Sequence, residues 1–300
     1  MGSPAHCDRR THMARLPNVR LELGNRPENV LLVRETLTGV AESVGLDGGD
    51  PSDVRTAVTE ACNNVVLHAY PGGGGPLEVD VDVSPGSLTV VVRDHGVGIG
   101  ARAPGRPDDV AEGGIGLPVI EALSHTVEFA ETPGGGTEVR MAFATPGVRG
   151  LESTAAISGG TGEGAGAGLE ALGPSFASVT IAPVLLARAV VPRLLCVLAA
   201  RAHFSTDRIS DSQLLADALV AHASGAIAGS HMRLIVNVEP RDLELQVGPL
   251  ITGRAEGLVL DSGLEGLGSV LEKLADGHGV SSADSHDTLT LTLRDRAQTA

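Results

Sequence analysis

Two patterned halves, separated by a stretch rich in Gly, Ala and Ser, most strongly limit how this 300-residue chain can fold. The stretch reads PGVRGLESTAAISGGTGEGAGAGLEALGPS and has neither helical nor strand periodicity, which is typical of a flexible linker. At about 100–200 residues per domain, the length also favours two domains. We therefore predict a loose tail (1–15), a first domain (16–145), a linker (146–175) and a second domain (176–296).

The first domain mixes two periodicities. Alternation typical of strands marks residues 19–23, 77–83 and 87–94, and later HTVEFAE and TEVRMAF. Apolar residues at helical spacing mark 28–45 and 51–68, and a further helix follows Gly116. The order strand, helix, helix, strands, helix, strands predicts an α+β fold. We expect a two-layer α/β sandwich with one mostly antiparallel sheet and helices on one face.

The second domain repeats the first in outline. His222 falls on His68 at an offset of 154 (222 − 68), and Gly248 falls on Gly96 at 152 (248 − 96). Two further glycines match at the second offset, Gly266 on Gly114 and Gly268 on Gly116. Near-constant offsets over several elements predict a tandem duplication. The alternative is chance matching of common Ala, Leu and Gly residues.

Composition excludes several classes of protein. A hydrophobic fraction of 42% is enough to build cores, and a net charge of −15 argues against nucleic acid as the main partner. Three widely spaced cysteines form neither a disulfide framework nor a metal-binding spacing, which fits a reducing cytosol. We expect a cytoplasmic protein without a signal peptide. We also expect no membrane span, because proline and arginine interrupt the most apolar stretch, 179–200.

Two polar segments in the first domain are candidates for chemistry. Glu60 and Asn64 stand four residues apart and therefore share a helix face, although an exposed polar face is the simpler interpretation. Asp94 follows a β-branched strand, where its carboxylate can accept a hydrogen bond from an exocyclic amine. Gly96 and Gly98 after it allow close approach of the backbone. An ordinary turn would use the same residues.

A third segment, GGIGLP, opens the last helix of the first domain. Its glycines, Gly114 and Gly116, would leave N–H groups free to meet an anion at the helix N-terminus. A surface hinge is the alternative interpretation.

Together, Glu-x-x-x-Asn, Asp-x-Gly-x-Gly and Gly-x-Gly at these intervals resemble the GHKL ATPase superfamily, which includes gyrase, heat-shock chaperones and histidine kinases. A final Gly136-Thr137 is similar to the fourth motif of that superfamily, and the resemblance covers about residues 17–145. TEACNNVVLHAY and GGGTEVRMAF are most similar to anti-sigma factor serine kinases. No dimerisation and phosphoacceptor helices precede the domain, which disfavours a histidine kinase.

The resemblance implies a GHKL (Bergerat) fold that binds ATP with Mg²⁺. Asn64 would bind Mg²⁺ that bridges the phosphates, and Glu60 would act as general base or orient the attacking hydroxyl. Asp94 would accept the adenine amino group. The remaining roles implied are shaping of the adenine pocket (Gly96, Gly98), backbone contact with phosphate (Gly114, Gly116) and the adenine hydrogen-bond network (Thr137).

Residues 100–112 would form a lid over the triphosphate. Arg102 or Arg106 of this segment would neutralise the γ-phosphate in the transition state. The alternative is that both arginines are solvated loop residues.

By the same resemblance, the protein is an ATP-binding serine/threonine kinase in transcription regulation. It would bind a sigma factor in one state and phosphorylate a serine of a STAS-type anti-anti-sigma protein in another. The alternative is a nucleotide-gated regulator that sequesters a partner without phosphorylating it. A chaperone or topoisomerase is disfavoured, because the long lid and the transducer domain are missing.

The second copy departs from the motifs. At the offset of 154, Leu214 replaces Glu60 and Ala218 replaces Asn64, and at 152 Gln246 replaces Asp94. We expect this half to keep the fold without binding ATP productively. It would either take the place of a partner subunit, giving an intrachain pseudo-dimer, or leave the chain to form a homodimer.

Overall fold

A computed structural model describes residues 16–46, 51–98, 116–132, 134–148, 151, 176–264, 268–283 and 285–295. The strands are β1 (Val19–Gly24), β2 (Pro76–Ser84), β3 (Ser87–Arg93), β4 (Thr126–Glu131), β5 (Thr137–Ala144), β6 (Phe176–Ile181), β7 (Met232–Glu239), β8 (Asp242–Ile251), β9 (Gly263–Leu264), β10 (Gly268–Ser269), β11 (Gly277–Ala283) and β12 (His286–Arg294). The α-helices are α1 (Asn29–Val44), α2 (Pro51–Asn64), α3 (Gly116–Leu123), α4 (Ala187–Arg201), α5 (Thr206–Ala223), α6 (Ala255–Asp261) and α7 (Val270–Leu274). No helix within these ranges is long and apolar enough to span a bilayer.

One antiparallel sheet of ten strands runs through both halves of the chain, in the order β11-β12-β8-β7-β6-β1-β2-β3-β5-β4. Outward from the centre, the first half runs β1, β2, β3, β5, β4 and the second half runs β6, β7, β8, β12, β11. Strands at the same rank in their halves therefore occupy equivalent places. The predicted α+β class and antiparallel sheet are confirmed, whereas the continuity of the sheet across both halves was not expected.

The two halves meet at the pairing of β1 with β6. Leu21 lies opposite Val179, 158 residues further along the chain (179 − 21). The flanking pairs are Val19 with Ile181 and Leu23 with Ala177. The same offset of 158 exchanges these two pairs, so an approximate two-fold axis passes through the Leu21–Val179 pair. Each half thereby covers the central strand edge of the other, which would otherwise present unpaired backbone groups.

Helices α1 and α4 pack against each other across the same axis. The two backbones approach closely at Gly39, where a Cβ would lie 2.5 Å from the carbonyl oxygen of Ala189. Arg193 binds Glu42 at 2.6 Å, and Arg201 donates a hydrogen bond to the Asn29 amide oxygen at 2.6 Å. The junction of the halves thus has a strand pairing, a helix pair and polar contacts between them.

Charged side chains form ion pairs between neighbouring strands of the sheet, from β1 to β5. Asp80 of β2 binds Arg20 of β1 at 2.7 Å and Arg93 of β3 at 2.5 Å. Arg93 also binds Glu138 of β5 at 2.6 Å. Cross-strand pairs of opposite charge stabilise a sheet register. This register fixes the end of β3, where the candidate site begins.

The sheet register also relates the two halves strand by strand. Val90 of β3 pairs with Val81 of β2 and Met141 of β5. In the second half, β7 and β12 take the places of β2 and β5, and the residue of β8 at the same register between them is Leu245. The offset is therefore 155 (245 − 90), and the offset of 152 inferred from matching glycines is wrong for this strand. A shift of three residues turns every side chain to the opposite face, so glycines in loops are a poor guide to register. Pro249, not Gln246, corresponds to Asp94.

Candidate functional site

Helix α2 carries the first pair of predicted site residues and ends at one of them. Glu60 and Asn64 are half-buried, one turn apart, and lie beside a buried stripe that faces the sheet. The stripe comprises Val54, Ala57, Val58, Ala61 and Cys62. Burial raises the pKa of the Cys62 thiol to about 12, so this cysteine stays protonated and unreactive near neutral pH.

A π-helical turn, Val65–Ala69, follows Asn64 directly, where an α-helix to His68 was predicted. Such turns are frequent at functional sites. The carbonyl oxygen of Ala69 accepts a hydrogen bond from the backbone N–H of Val97 at 3.0 Å. The turn therefore ties helix α2 to the loop that begins at Asp94.

Glu60 and Asn64 converge on the first residue of helix α3. A Cβ at Gly116 would lie 3.4 Å from Glu60 Oε2 and 3.5 Å from the amide nitrogen and oxygen of Asn64. Free N–H groups and the positive end of the helix dipole make a helix N-terminus favourable for an anion. A carboxylate, a carboxamide and a helix N-terminus thus meet at one place, although they are far apart in sequence.

Asp94 is buried at the end of β3, with 4% of its surface exposed. Its Oδ1 accepts hydrogen bonds from the backbone N–H groups of Gly96 at 2.9 Å and Thr137 at 3.2 Å. Oδ2 accepts no hydrogen bond from the described residues. One oxygen therefore fixes the orientation of the carboxylate, and the other remains available to a ligand donor.

Three glycines around Asp94 allow backbones to approach more closely than any side chain would permit. A Cβ would lie 1.9 Å from the Ala69 carbonyl oxygen at Gly96 and 2.3 Å from the Gly135 carbonyl oxygen at Gly98. At Gly136 it would lie 2.0 Å from the Asp94 carbonyl oxygen. Gly98 also has a φ of +71°, in the left-handed region. Gly96 and Gly98, the two glycines predicted from sequence, thus stand where any larger residue would clash with the backbone.

Two threonines hold the opposite side of this loop. Thr137, a predicted site residue, contacts Asp94 through its backbone, since its N–H and carbonyl oxygen both bond to that residue. Thr132 is buried and donates its hydroxyl to the Asp94 carbonyl oxygen at 3.2 Å. Sequence reasoning did not identify Thr132. The only available signal was its place just before the Gly134–Gly136 run.

A cavity of about 250 Å³ joins these features. Its polar lining includes Asn64 and Asp94 at separate positions, together with His68 and Thr137. Its apolar lining includes Ala61, Val65, Val92, Leu117, Phe129 and Val139. An apolar cavity with a few fixed polar groups is typical of a small-molecule site.

Three predicted site residues, Arg102, Arg106 and Gly114, lie outside the described residues, as does the predicted lid (100–112). The structure therefore gives no position for the side chains assigned to the γ-phosphate. The predicted residues that it does place are Glu60, Asn64, Asp94, Gly96, Gly98, Gly116 and Thr137.

The corresponding part of the second half has different chemistry. Leu214 and Ala218 of α5 match Glu60 and Asn64 at the offset of 154, and burial agrees at several positions from Val58 with Ser212 onward. The buried pairs are Ala61 with Leu215, Cys62 with Ala216, Val65 with Leu219 and Ala69 with Ala223. Neither replacement carries a side-chain oxygen that can bind a metal ion or a hydroxyl proton.

Asp287 is the one buried acid in the described part of the second half, and it lies on β12 rather than at the end of β8. Its Oδ2 accepts a hydrogen bond from Gly253 N–H and its Oδ1 from Ser282 Oγ, both at 2.7 Å. Both oxygens are therefore bonded, whereas among the described residues only one oxygen of Asp94 is.

Residues 23–143 match the model of the histidine kinase-like ATPase domain. The serine-protein kinase RsbW of Bacillus velezensis is 34% identical over 127 residues, which cover 39% of this chain and 79% of that protein. The chain belongs to the histidine kinase-like ATPase family of these serine-protein kinases. RsbW of Bacillus licheniformis is 35% identical over 113 residues, covering 34% of this chain and 71% of that protein.

A third relative, RsbW of Bacillus cereus strain AH820, is 28% identical over 132 residues, 41% of this chain and 82% of that protein. The predicted resemblance to GHKL ATPases of the serine kinase kind is thus confirmed. Every site residue that the structure places falls within the matched range, 23–143.

Proposed function

We propose that this chain is an ATP-dependent serine/threonine protein kinase of the anti-sigma factor kind. It would phosphorylate a serine of a STAS-type anti-anti-sigma protein and, in another state, hold a sigma factor. The observation that carries the proposal is the convergence of Glu60 and Asn64 on the N-terminus of helix α3. The family membership of the first half supports it.

We assign an adenine end of the site to Asp94 and a phosphate end to Asn64 and Gly116. Oδ2 of Asp94 would accept a hydrogen bond from the amino group of adenine, whose ring would lie against the apolar lining. Asn64 would bind Mg²⁺, and Gly116 would present the helix N-terminus to the phosphates. One protein ligand suits Mg²⁺, which completes its octahedron with phosphate oxygens and water. Thr137 would join the adenine hydrogen-bond network through its contact with Asp94.

Glu60 would serve as the general base, because its carboxylate lies beside Asn64 at the phosphate end. The serine oxygen would bond to the terminal phosphorus while the bond from that phosphorus to the bridging oxygen breaks and ADP leaves. The hydroxyl proton would pass to Glu60. Positioning and charge neutralisation supply most of the catalysis in phosphoryl transfer. Arg102 or Arg106 would add positive charge at the γ-phosphate.

Transfer of label from γ-labelled ATP to a STAS-type protein tests the proposal. Glu60→Gln keeps the size of the side chain and removes the base, so we expect transfer to fall about 100-fold or more while ATP still binds. Glu121→Gln, an exposed carboxylate on α3, is the matched control and should transfer at the wild-type rate. Equal rates in wild type and Glu60→Gln would exclude Glu60 as the base.

The alternative function is a nucleotide-gated binding protein without kinase activity. The two functions share the ATP site and differ only in phosphoryl transfer. Pull-down from native lysate with ATP and with ADP, followed by mass spectrometry, identifies the partners in each state. A partner retained only with one nucleotide, without label transfer to any protein, would establish the alternative. The net charge of −15 suits a basic partner such as a sigma factor.

We propose further that residues 176–295 are a duplicated, degenerate copy that acts as the partner subunit within one chain. The matching strand order, the approximate two-fold axis and the burial pattern of α5 support this. The β1–β6 junction would be the pseudo-dimer interface. The second copy would bind no ATP, because Leu214, Ala218 and Pro249 replace the three key polar residues.

A further inference from the structure

Tyr70, the only tyrosine in the chain, lies directly after the π-helical turn. Its hydroxyl donates a hydrogen bond to the Pro76 carbonyl oxygen at 2.7 Å and accepts one from the His95 backbone N–H at 2.8 Å. A Cβ at Gly75 would lie 2.1 Å from the tyrosine ring, so the ring packs directly against the backbone of Gly75. The side chain thus bridges the start of β2 and the loop that follows β3.

Three backbone N–H groups of the loop from Asp94 to Gly98 donate hydrogen bonds to residues outside the loop. Asp94 N–H donates to the Thr137 carbonyl oxygen at 2.9 Å, and Val97 N–H donates to the Ala69 carbonyl oxygen at 3.0 Å. His95 N–H donates to the Tyr70 hydroxyl. Two of the three acceptors therefore come from adjacent residues at the end of the π-helical turn. The only side chain among them is that of Tyr70.

The Tyr70 anchor acts on the residue next to Asp94. Removing the hydroxyl would leave the His95 N–H without its acceptor, and an unpaired donor favours movement of its peptide. That peptide adjoins the side chain of Asp94, whose Oδ1 is fixed and whose Oδ2 accepts no hydrogen bond from the part of the chain that the structure describes. Movement of the peptide would therefore change the direction in which Oδ2 points.

We propose that Tyr70 is a positioning residue that sets the base selectivity of the nucleotide site. Through the His95 peptide it holds Asp94 Oδ2 where it accepts a donor from a 6-aminopurine and repels the 6-oxo group of a 6-oxopurine. This inference rests on the proposed ATP site. A site built to pair one hydrogen-bonding group rejects an analogue that lacks it.

The test compares ATP with inosine triphosphate, in which oxygen replaces the 6-amino group, by calorimetry on the full-length chain. Tyr70→Phe removes the hydroxyl and keeps the ring. We expect the preference for ATP over inosine triphosphate to fall about five- to tenfold, as for the loss of one hydrogen bond. The ratio of ATP to ADP affinity should stay unchanged, because the phosphate end of the cavity is not altered.

Ser210→Ala is the matched control, since its exposed hydroxyl donates to the Thr206 carbonyl oxygen in the second half. This variant should keep the wild-type preference. An equal fall in the affinity for both nucleotides, or no fall at all, would overturn the positioning role of Tyr70. Binding of neither nucleotide by the wild type would instead overturn the proposed ATP site.

A second measurement needs no variant. Because the chain has no tryptophan and one tyrosine, its tyrosine emission reports on Tyr70 alone. Saturating ATP should change this emission more than saturating inosine triphosphate does, since only ATP engages Asp94 productively. Identical emission with both bound nucleotides would contradict the coupling even if Tyr70→Phe did not fold.

Discussion

At the scale of single residues, Gly96 and Gly73 differ in the space that a side chain would have. A Cβ at Gly96 would lie 1.9 Å from a backbone oxygen, whereas none lies within 4 Å at Gly73. We predict that Gly96→Ala lowers the free energy of unfolding by about 1–3 kcal/mol and weakens ATP binding at least tenfold. Gly73→Ala should change neither quantity appreciably. Urea titration and calorimetry measure both, and equal behaviour of the two variants would contradict the steric account.

The hydroxyl of Tyr70 is an unusually weak acid for a tyrosine. Burial raises its pKa to about 12, with a smaller opposing effect from the His95 hydrogen bond. We predict that absorbance at 295 nm, which here reports a single tyrosine, rises near pH 12 in the folded protein and near pH 10 after unfolding. The neutral hydroxyl therefore stabilises the fold below about pH 10, and this contribution is lost as the pH rises towards 12. A native titration near pH 10 would contradict the buried environment.

At the scale of single elements, two helical glycines differ in how crowded their surroundings are. A Cβ at Gly39 of α1 would lie 2.5 Å from the Ala189 carbonyl oxygen of α4, whereas at Gly257 of α6 the nearest atom is a side-chain oxygen at 3.8 Å. Gly39→Ala should destabilise the protein by about 1–3 kcal/mol, because it forces α1 and α4 apart. Gly257→Ala should stabilise it by about 0.5–1 kcal/mol, through higher helix propensity. Thermal unfolding measures both, and a stabilising Gly39→Ala would contradict the helix packing.

Local periodicity predicted the elements of the first half well, because the apolar residues of most of its strands and helices recur at strand or helix spacing. It failed at the end of α2, where the π-helical turn depends on contacts with the loop after Asp94. It also failed to reveal Thr132 and Tyr70, which bond to the backbone around Asp94. Contacts between a side chain and distant backbone leave no spacing in a sequence, so only the fold identifies them.

At the scale of the whole molecule, sequence indicated two similar halves but not how they join. The continuous sheet depends on pairing of β1 with β6, two short apolar strands whose mutual register no local pattern specifies. The offset inferred from glycines was wrong in β8, because loops tolerate insertions that strands do not. The helix offset of 154 agrees with burial, since helical spacing constrains which side chains face the core.

The filled strand edge at β1 predicts the oligomeric state. Because β6 and α4 already cover the surface through which two first halves would pair, we expect sedimentation at the mass of one chain, 30.5 kDa. Gly39→Ala should not convert the chain to a dimer, because the linker keeps both halves together. A particle of two chains at micromolar concentration would weaken the pseudo-dimer proposal.

The central proposal is that only the first half of the chain binds a nucleotide. Its most direct test is the stoichiometry of Mg²⁺-ATP binding to the full-length protein. Calorimetry should give one ATP per chain. Asp94→Asn should lose ATP binding. An amide has only one oxygen, so either an NH₂ group faces the ligand in place of Oδ2, or it faces the backbone N–H groups that Oδ1 now accepts. Asp261→Asn, an exposed acid on α6, should bind as the wild type does. Two ATP per chain, or one ATP that survives Asp94→Asn, would contradict the account.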